Sequence, residues 1–383
     1  MQTLQKRGSM KVEVNSASFA DAVAWTTRVI DSRPANPILA GLKIEAANGT
    51  LQLSAFNYQI SSCHHIEAGV DEEGSILILG KLMADITKSL PAEKTYLKSE
   101  NNTLTITSGK STFTLQLMPL GEYPDLPELP HKLGQVDAPT FIQAVNQASV
   151  STSREENRPV LTGIRIQFED DTVTMTSTDR FRLSRSTFKW TPEHNDIHST
   201  TLTRGSLLRD IAHSLDDHQN VIIHFNEEDK SLLGFENSGR TSTSQIIDGE
   251  FPSVDRLFVD EYPIHAIINK QLLINAIKRV SLVAERNAPI RMIFSNQELT
   301  LSAGTADESQ AKEVLDIDMD GEDITVAFNP NYLLEGLGAI PEPFVHMKMA
   351  TAVKPVEFNG QQESDGDEST DYRYLLVPMR FNN

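Results

Sequence analysis

Two kinds of hydrophobic periodicity follow one another along the chain. In Phe19–Val23 and Phe141–Val145 the apolar residues recur three or four positions apart, which is typical of the buried face of an α-helix. In Leu51–Ala55 and Val173–Ser177 apolar and polar residues alternate, which is typical of a strand with one buried face. Helix-like and strand-like segments are mixed throughout, and this mixture predicts an α+β fold.

The same order of segments returns at a nearly constant spacing. Phe141 follows Phe19 by 122 positions, and Pro159 follows Pro37 by the same number. A third and weaker copy places the helix-like Leu273–Ile277 ahead of a strand-like run. Equal spacing at two separate points is hard to obtain by chance, so we interpret the chain as three tandem copies of one unit.

Each copy has a second helix-like stretch among its alternating runs. These stretches are Leu82–Ile86 with Leu90, Leu207–Ile211 with Leu215, and Tyr332–Leu337. In the third copy the alternating run is Leu299–Ala303. The predicted unit is therefore a strand, a helix, strands, a second helix and further strands.

The repeats set the predicted domain boundaries. Residues 1–9 precede the first strand-like run, which opens at Met10, and are either an N-terminal extension or lie upstream of the true start. The three domains are expected at residues 10–133, 134–261 and 262–383. The proline-rich residues 124–139 are interpreted as a linker, and a second crossing is expected near Asp260–Pro263.

Composition indicates a chain with a sizeable core and no membrane association. Of its 383 residues, 39% are hydrophobic, but no apolar run approaches the roughly 20 residues that span a bilayer. The N-terminus lacks the pattern of a signal peptide. The single cysteine, Cys63, excludes an internal disulfide and fits a reducing cytoplasm, so we expect a cytoplasmic protein.

The formal net charge of −19 argues against nucleic acid unless the basic residues are segregated on one surface. Many of them lie in the helix-like regions: Arg28, Arg33, Arg154, Arg158, Lys278, Arg279 and Arg286 near the first helices, and Lys81, Lys88, Arg204 and Arg209 near the second. Acidic clusters lie elsewhere, at residues 71–73, 169–171, 227–229 and 363–371. Helices facing inward would give a basic inner surface, but plain solvated helix faces explain the charges equally well.

Four motifs then carry a resemblance to a known family. They are Arg33–Leu39, Thr178–Leu183, Asp248–Pro252 and Val377–Phe381. In these strings, and over essentially Met10–Phe381, the chain resembles the beta subunit of bacterial DNA polymerase III, the sliding clamp. The resemblance implies three clamp domains, with helices lining a central hole, antiparallel sheets outside, and a head-to-tail homodimer that forms a ring.

The resemblance also implies a function without catalysis. Such a ring encircles double-stranded DNA, is placed there by an ATP-driven clamp loader, and tethers the replicative polymerase and other partners. It needs no cofactor. Retention by topology requires only weak, sequence-blind attraction to phosphates, with which a net charge of −19 is compatible. The DNA-contacting residues are expected to be Arg28, Arg33, Lys81, Lys88, Arg158, Arg204, Arg209, Lys278 and Arg279, whereas Glu155 replaces a family glutamine and weakens one contact.

Clamp partners dock short peptides in a pocket between the second and third domains. The matching residues here are Leu161, Thr178, Arg180, Phe181, Arg182, Leu183, Pro252, Arg256, Leu257, Val353, Leu375, Leu376, Val377, Pro378, Met379 and Arg380. An apolar cleft bordered by arginines suits an extended peptide with aliphatic anchors. Ordinary packing is the alternative, and it is favoured for Leu161 and Leu183 taken alone. The run Arg180–Arg182 is harder to place in a core, because arginine is rarely buried unpaired.

A dimer interface is also implied by the resemblance. Lys110 and Phe113 match one side, and Leu282, Asp307, Glu308 and Glu313 match the other, although Lys312 interrupts the acidic run. The family often has a small residue in place of Arg180, which changes the pocket entrance. Residues 363–371 have the composition of a mobile acidic loop.

Three short stretches of the sequence are similar to catalytic or metal-binding motifs but have simpler explanations. Ser108–Thr112 resembles the end of a phosphate-binding loop, but Leu104 stands where that motif needs glycine, so a turn is favoured. The residues of Cys63–His65 alternate across a strand and cannot converge on one metal ion. Asp365–Asp367 lacks the spacing of a calcium loop. We therefore predict no catalytic or metal site; an acidic α+β enzyme or binding protein built on duplicated domains is the competing class.

Overall fold

A computed structural model of the protein describes residues 9–91, 93–228, 231–259, 261–285, 288–304 and 309–380. The α-helices within these residues come two to a repeat. They are α1 Ser16–Thr26, α2 Gly80–Thr87, α3 Ala138–Ser149, α4 Gly205–Ala212, α5 Lys270–Val280 and α6 Pro330–Ala339. Short 3₁₀ turns lie at Thr27–Val29, Pro37–Ala40, Leu120–Glu122, Pro159–Thr162, Asp255–Leu257 and Ser281–Val283.

The strands pair antiparallel. Those of the first repeat are β1 Lys11–Asn15, β2 Gly41–Ala47, β3 Thr50–Phe56, β4 Ile60–Glu67, β5 Gly69–Glu72, β6 Gly74–Leu79, β7 Lys94–Glu100, β8 Thr103–Ser108 and β9 Ser111–Gln116. Those of the second are β10 Lys132–Asp137, β11 Gly163–Glu169, β12 Thr172–Thr178, β13 Arg182–Lys189, β14 Thr191–Pro192, β15 His198–Arg204, β16 Asn220–Phe225, β17 Leu232–Asn237 and β18 Arg240–Gln245. Those of the third are β19 Ile264–Asn269, β20 Ile290–Ser295, β21 Glu298–Gly304, β22 Gln310–Asp316, β23 Asp318–Asp320, β24 Ile324–Phe328, β25 Phe344–Met349, β26 Val356–Gln361 and β27 Glu368–Leu376.

Three of the helices begin at an asparagine that caps the free backbone N–H groups of the first turn. Asn15 Oδ1 accepts hydrogen bonds from the N–H groups of Ala17 (3.0 Å) and Ser18 (3.1 Å). Asn269 and Asn329 cap α5 and α6 in the same way. Asparagine is among the preferred N-cap residues because its side chain satisfies a donor that the helix leaves unpaired.

The first compact unit contains residues up to Ala138 together with His213–Ile246. One of its sheets has the strand order β5-β1-β7-β8-β9, and β10-β16-β17-β18-β4-β3-β2-β6 follow one another in the other. The β18–β4 pair places Arg240 opposite His64 and so joins strands of the second repeat to strands of the first. The core is formed by apolar residues of α1, α2 and both sheets, including Phe19 and Met83.

The second compact unit contains Pro139–Ala212 and Ile247–Asn383. Its sheets have the orders β15-β11-β12-β13-β27-β26-β25-β19-β23 and β22-β21-β20-β24. The β13–β27 pair, with Leu183 opposite Leu375, joins the second repeat to the third. Because strand pairing runs across the repeats, the second repeat contributes strands to both units, and the units do not follow the repeat spacing.

Several local predictions were wrong. Strand β10 (Lys132–Asp137) occupies much of the predicted linker 124–139, where Leu133 and Val136 are buried. Helix α2 ends at Thr87, so Leu90 packs against the core from the following turn, and α4 ends at Ala212, before Leu215. Residues 368–371, expected in a mobile loop, lie in β27. No helix in the described part of the chain is long and apolar enough to cross a membrane.

Candidate functional site

The predicted peptide pocket falls at one end of three neighbouring strands in the second unit. Strand β13 begins at Arg182, β27 ends at Leu376 and β26 begins at Val356. These strands are adjacent and antiparallel, so the segments beyond these ends lie side by side. The N–H of Val377 donates to the carbonyl of Phe181 at 2.9 Å, which fixes the two segments together.

Large apolar side chains are exposed around this end of the sheet. Phe181 is 52% exposed, Val353 72%, Leu257 43% and Val377 37%. A group of exposed apolar side chains on neighbouring segments is typical of a surface that binds a partner. We call this region the cleft and define it by the sixteen pocket residues predicted from the sequence.

Beneath the exposed residues the cleft has a packed floor. Leu183 and Leu375 are both 2% exposed and form a small apolar cluster with Val254, against which Phe251 and Phe258 pack. Leu161 and Leu376 are buried as well. Burial of Leu161 and Leu183 agrees with the packing alternative, and Leu183 belongs to the apolar cluster beneath the exposed residues.

A tight turn carries Arg180 and Phe181 to the cleft mouth. Asp179 Oδ1 accepts from the N–H groups of Phe181 (3.0 Å) and Arg182 (3.1 Å), and the hydroxyl of Thr178 accepts from the N–H of Arg180 at 3.2 Å. Arg180 has φ 83°, in the left-handed region where a side chain is strained. Its guanidinium carbon lies 5.7 Å from the Phe181 ring centre, and Nη2 is 3.7 Å from a carboxylate oxygen of Glu155.

Arg182 differs from its neighbours because it is buried and paired. Its Nε donates to Asp179 at 2.9 Å, its Nη1 donates to Glu335 at 2.5 Å, and its guanidinium lies 4.2 Å from the Tyr332 ring centre. Burial alone would lower the pKa of Arg182, but Tyr374, Glu335 and Asp179 outweigh burial and raise it. The run Arg180–Arg182 was expected to be hard to place in a core, but Arg182 is buried, because two carboxylates compensate its charge.

The remaining predicted pocket residues come from two other segments. Pro252, Arg256 and Leu257 are exposed in the stretch that follows β18. After β27, Pro378 is buried, Met379 is half-buried and Arg380 is exposed. The N–H of Met379 donates to the carbonyl of Ala327 at 2.7 Å, which anchors this terminal segment beside β24.

Most of the predicted DNA-contacting residues lie in helices or in the segments that adjoin them, and Arg204 is the last residue of a strand that leads into a helix. In the first unit Arg28 is in the turn after α1, Arg33 is in the following loop, Lys81 is in α2 and Lys88 follows α2. In the second unit Arg158 precedes a 3₁₀ turn, Arg204 ends β15, Arg209 is in α4, and Lys278 and Arg279 are in the last turn of α5. The sequence predicted that these basic residues would lie in the helix-like regions of each repeat.

Two of these basic residues are already paired within the chain. Arg204 lies 3.3 Å from a carboxylate oxygen of Glu156, and Arg279 Nε donates to Glu313 at 3.0 Å. The hydrogen bond with Glu313 raises the pKa of Arg279, and the same bond lowers the pKa of Glu313.

A concave region of ≈ 540 Å³ is lined in part by Arg154, Arg182, Arg204, Arg209, Glu156 and Glu335.

Each unit has an edge strand at the position of a predicted dimer contact. In the first unit β9 is the last strand of its sheet and contains the half-buried Phe113, with Lys110 in the preceding turn. In the second unit β22 is the last strand and contains Glu313, and Leu282 is 84% exposed. Asp307 and Glu308 lie outside the described residues. Edge strands leave backbone groups available for pairing with another chain.

The motifs set aside in the sequence have ordinary structural explanations. Ser108–Thr112 forms the turn between β8 and β9, with Gly109 at φ 58°. In β4, His64 is buried and His65 is exposed, as alternation requires. Burial raises the pKa of Cys63 to about 11, which disfavours the reactive thiolate. The described part of the chain contains no cluster of three side chains suited to hold a metal ion.

Comparison with known proteins assigns all three repeats. Residues 10–127, 135–253 and 255–380 match, in that order, the N-terminal, central and C-terminal domains of the DNA polymerase III beta subunit. The chain belongs to the DNA polymerase III beta subunit family. The family is that of the sliding clamp, a non-catalytic processivity subunit, and this membership sets aside the competing enzyme class.

Full-length relatives and solved structures agree with the family. The chain is 39% identical to the beta sliding clamp of Streptomyces coelicolor, over 97% of this chain and 100% of that protein. The sliding clamp of Bacillus subtilis superposes with a TM-score of 0.91 at 24% identity, over 98% of this chain and 100% of that one. A Pseudomonas aeruginosa sliding clamp solved with griselimycin has a TM-score of 0.90 at 20% identity, with 98% and 100% covered. The predicted fold class and clamp function are confirmed.

Proposed function

We propose that two copies of this chain close head to tail into a ring around duplex DNA, and that the ring tethers the replicative polymerase through the cleft. The observation that carries the proposal is the exposed apolar group around Phe181, Val353 and Val377, on a buried floor and bordered by arginines. A partner peptide laying aliphatic side chains there would remove apolar surface from water, and this burial supplies most of its affinity.

The basic residues on and beside the helices supply the attraction to DNA in this proposal. Lysine and arginine contacts to phosphate position a protein on duplex DNA without reading its sequence, and they weaken as salt increases. Weak contacts let the ring slide, while closure of the ring keeps it on the DNA. The acidic residues 170–171 lie in the turn between β11 and β12, and acidic turns of this kind would add negative charge that repels DNA.

Ring closure would use the two open edges. Pairing β9 of one copy with β22 of the other satisfies the backbone groups that each edge strand leaves free. Phe113 and the exposed Leu282 supply apolar contact, Lys110 faces the acidic side, and Glu313 is held in place by Arg279. Asp307 and Glu308 belong to the same proposed interface. A closed ring needs a loader that opens it, which we propose is the ATP-driven clamp loader of the cytoplasm.

The ring is tested by retention on circular DNA. Protein assembled on a nicked circle by a clamp loader should stay bound in high salt and leave only after the circle is cut, because topology rather than charge holds it. Equal, salt-sensitive release from intact and cut circles contradicts encirclement. A second sliding clamp loaded in parallel shows that the loader is active.

The cleft is tested separately with griselimycin, which we propose occupies it. Deleting Met379–Asn383 removes one wall and should abolish the binding of labelled griselimycin and of a C-terminal polymerase peptide. Unchanged affinity of the shortened chain contradicts the assignment of this wall. Alanine in place of the exposed Leu272, which the cleft does not include, is the matched control and should bind normally.

A further inference from the structure

A row of arginines crosses the sheet of the second unit beside the cleft. Arg165 on β11 is paired with Thr176, which is paired with Arg185 on β13, and Arg185 lies directly opposite Arg373 on β27. Like charges directly opposite each other on neighbouring strands are destabilising. The side chains are also largely removed from water, with 12%, 19% and 26% exposure for Arg165, Arg185 and Arg373. The row therefore needs compensation from elsewhere.

The compensation comes mainly from Phe251–Phe258, which we call the cover segment. The Phe258 ring centre lies 4.2 Å from the guanidinium carbon of Arg185 and 4.4 Å from that of Arg373, so the ring is shared by the two opposed arginines. Phe251 lies 5.1 Å from the guanidinium of Arg165. Aromatic faces attract guanidinium groups, and the attraction grows as water is excluded.

One carboxylate of the cover segment serves two of the arginines. Asp255 Oδ1 accepts from Arg185 and lies 3.5 Å from Nη2 of Arg165, whereas Arg373 has its own carboxylate in Glu357, at 2.7 and 2.8 Å. Burial lowers the pKa of Arg185, and Asp255 acts against that lowering. Without Asp255, no other ion pair of Arg165 or Arg185 is found among the described residues.

The cover segment also forms part of the cleft. Val254, next to Asp255, packs against the floor residues Leu183 and Leu375. The 3₁₀ turn Asp255–Leu257 then presents Arg256 and Leu257 to solvent as the cleft wall. The same three-residue turn therefore joins the arginine row on one side to the cleft wall on the other.

We infer that Asp255 is a positioning residue for partner binding: by clamping the cover segment onto Arg165 and Arg185, it sets the wall formed by Arg256 and Leu257. This inference rests on the proposed function of the cleft. The carboxylate need not touch the peptide, and its effect reaches the peptide through the turn. Loss of the carboxylate leaves two neighbouring arginines without their counter-charge, and the turn that covers them loosens.

The test measures the affinity of labelled griselimycin for full-length variants. Asp255→Asn keeps the shape and removes the charge, and should weaken binding about tenfold, because the loosened turn would have to be ordered again when griselimycin binds. Glu261→Gln removes one exposed charge from the same stretch of chain and is the matched control, with unchanged affinity expected. Wild-type affinity in Asp255→Asn overturns the inference.

A double-mutant cycle separates positioning from general loss of stability. If Asp255 acts by compensating Arg185, Arg185→Met should recover part of the affinity that Asp255→Asn loses, because it removes the uncompensated charge. Additive losses, or losses that follow the unfolding midpoints alone, contradict the inference. If griselimycin fails to bind the wild type, the proposed cleft itself fails. If it binds the wild type and not the chain lacking Met379–Asn383, the cleft stands whatever Asp255 does.

Discussion

At the scale of single residues, Arg180 at the border of the cleft has a backbone conformation that a residue with a side chain does not favour. Arg180 has φ 83°, and its turn is held by the side chains of Thr178 and Asp179. Strained residues persist where the surroundings over-determine them, and they are concentrated at functional sites. The neighbouring guanidinium of Arg182, by contrast, is a buried structural group with two carboxylate partners.

Arg180→Gly should therefore stabilise the folded chain. Glycine adopts positive φ without steric cost, so about 1 kcal/mol of strain is relieved, and the lost contact with the exposed Glu155 is worth little. The denaturant midpoint should rise. The control is Arg209→Gly in the exposed face of α4, where glycine should cost about 1 kcal/mol. A midpoint lowered equally by both substitutions contradicts the strain argument.

A second residue-scale prediction concerns Glu368. Its pKa is lowered to about 2, first by His346, whose Nδ1 lies 3.2 Å from Oε2, and then by Lys348, whose Nζ donates to Oε1 at 3.0 Å, against the opposing effect of burial. A lowered carboxyl pKa stabilises the fold above the unfolded value of 4.5, and this stabilisation is lost as pH falls toward 2.

Glu368→Gln therefore gives a pH-dependent difference. The wild type should be the more stable protein at pH 6, and the difference should shrink between pH 4.5 and 2 as Glu368 is protonated. Urea midpoints measured across this range check the prediction. Glu363→Gln, an exposed carboxyl in the preceding loop, is the control with no expected change of midpoint. A constant gap at all pH values contradicts the assigned ion pairs.

At the scale of elements, the proposed functional surfaces lie at the ends of strands and at the edges of sheets. The cleft lies where β13, β26 and β27 meet their loops, and the proposed dimer contact uses the edge strands β9 and β22. Alternating sequence predicts which strand residues are buried, but it does not say which strands become neighbours. The cover segment shows the same limit, because only the folded sheet places Asp255 over arginines from two strands.

Leu282→Glu tests the proposed edge. The side chain is 84% exposed, so a charge there should leave the free energy of unfolding of the monomer within about 0.5 kcal/mol of wild type but should weaken self-association at least tenfold. Sedimentation velocity over a range of concentrations measures the effect. Leu272→Glu, at the other end of α5, makes the same change on an exposed leucine and should leave the dimer intact. Unaltered association in Leu282→Glu places the interface elsewhere.

At the scale of the whole molecule, net charge is a poor guide to function. The value of −19 argues against nucleic acid, yet the chain belongs to the sliding clamp family. The acidic residues outnumber the basic ones overall, but Arg28, Lys81 and Arg209 lie in helical segments, where the sequence predicted a basic surface. Local charge, rather than net charge, governs contact with phosphates.

The combined substitution Arg33→Ala and Arg158→Ala tests this local charge. Loss of two phosphate contacts should make the negative slope of log affinity against log salt shallower by about 2. Fluorescence anisotropy on short duplex DNA measures this slope. The unfolding midpoint and griselimycin affinity should not change. Arg256→Ala with Arg380→Ala removes the same charge from the cleft border and is the control. An unchanged slope in the first variant removes these arginines from the DNA surface.

The sequence by itself determined the repeat, the α+β class and the family. Periodicity and spacing are local properties, and motifs such as Thr178–Leu183 can be recognised without coordinates. The tertiary structure decided what each residue of a motif does. It buried Arg182 between carboxylates, exposed Phe181 beside it, and placed the distant Asp255 over Arg165 and Arg185. The physical reason is that burial and pairing depend on which strands become neighbours, and strand pairing joins residues far apart in the chain.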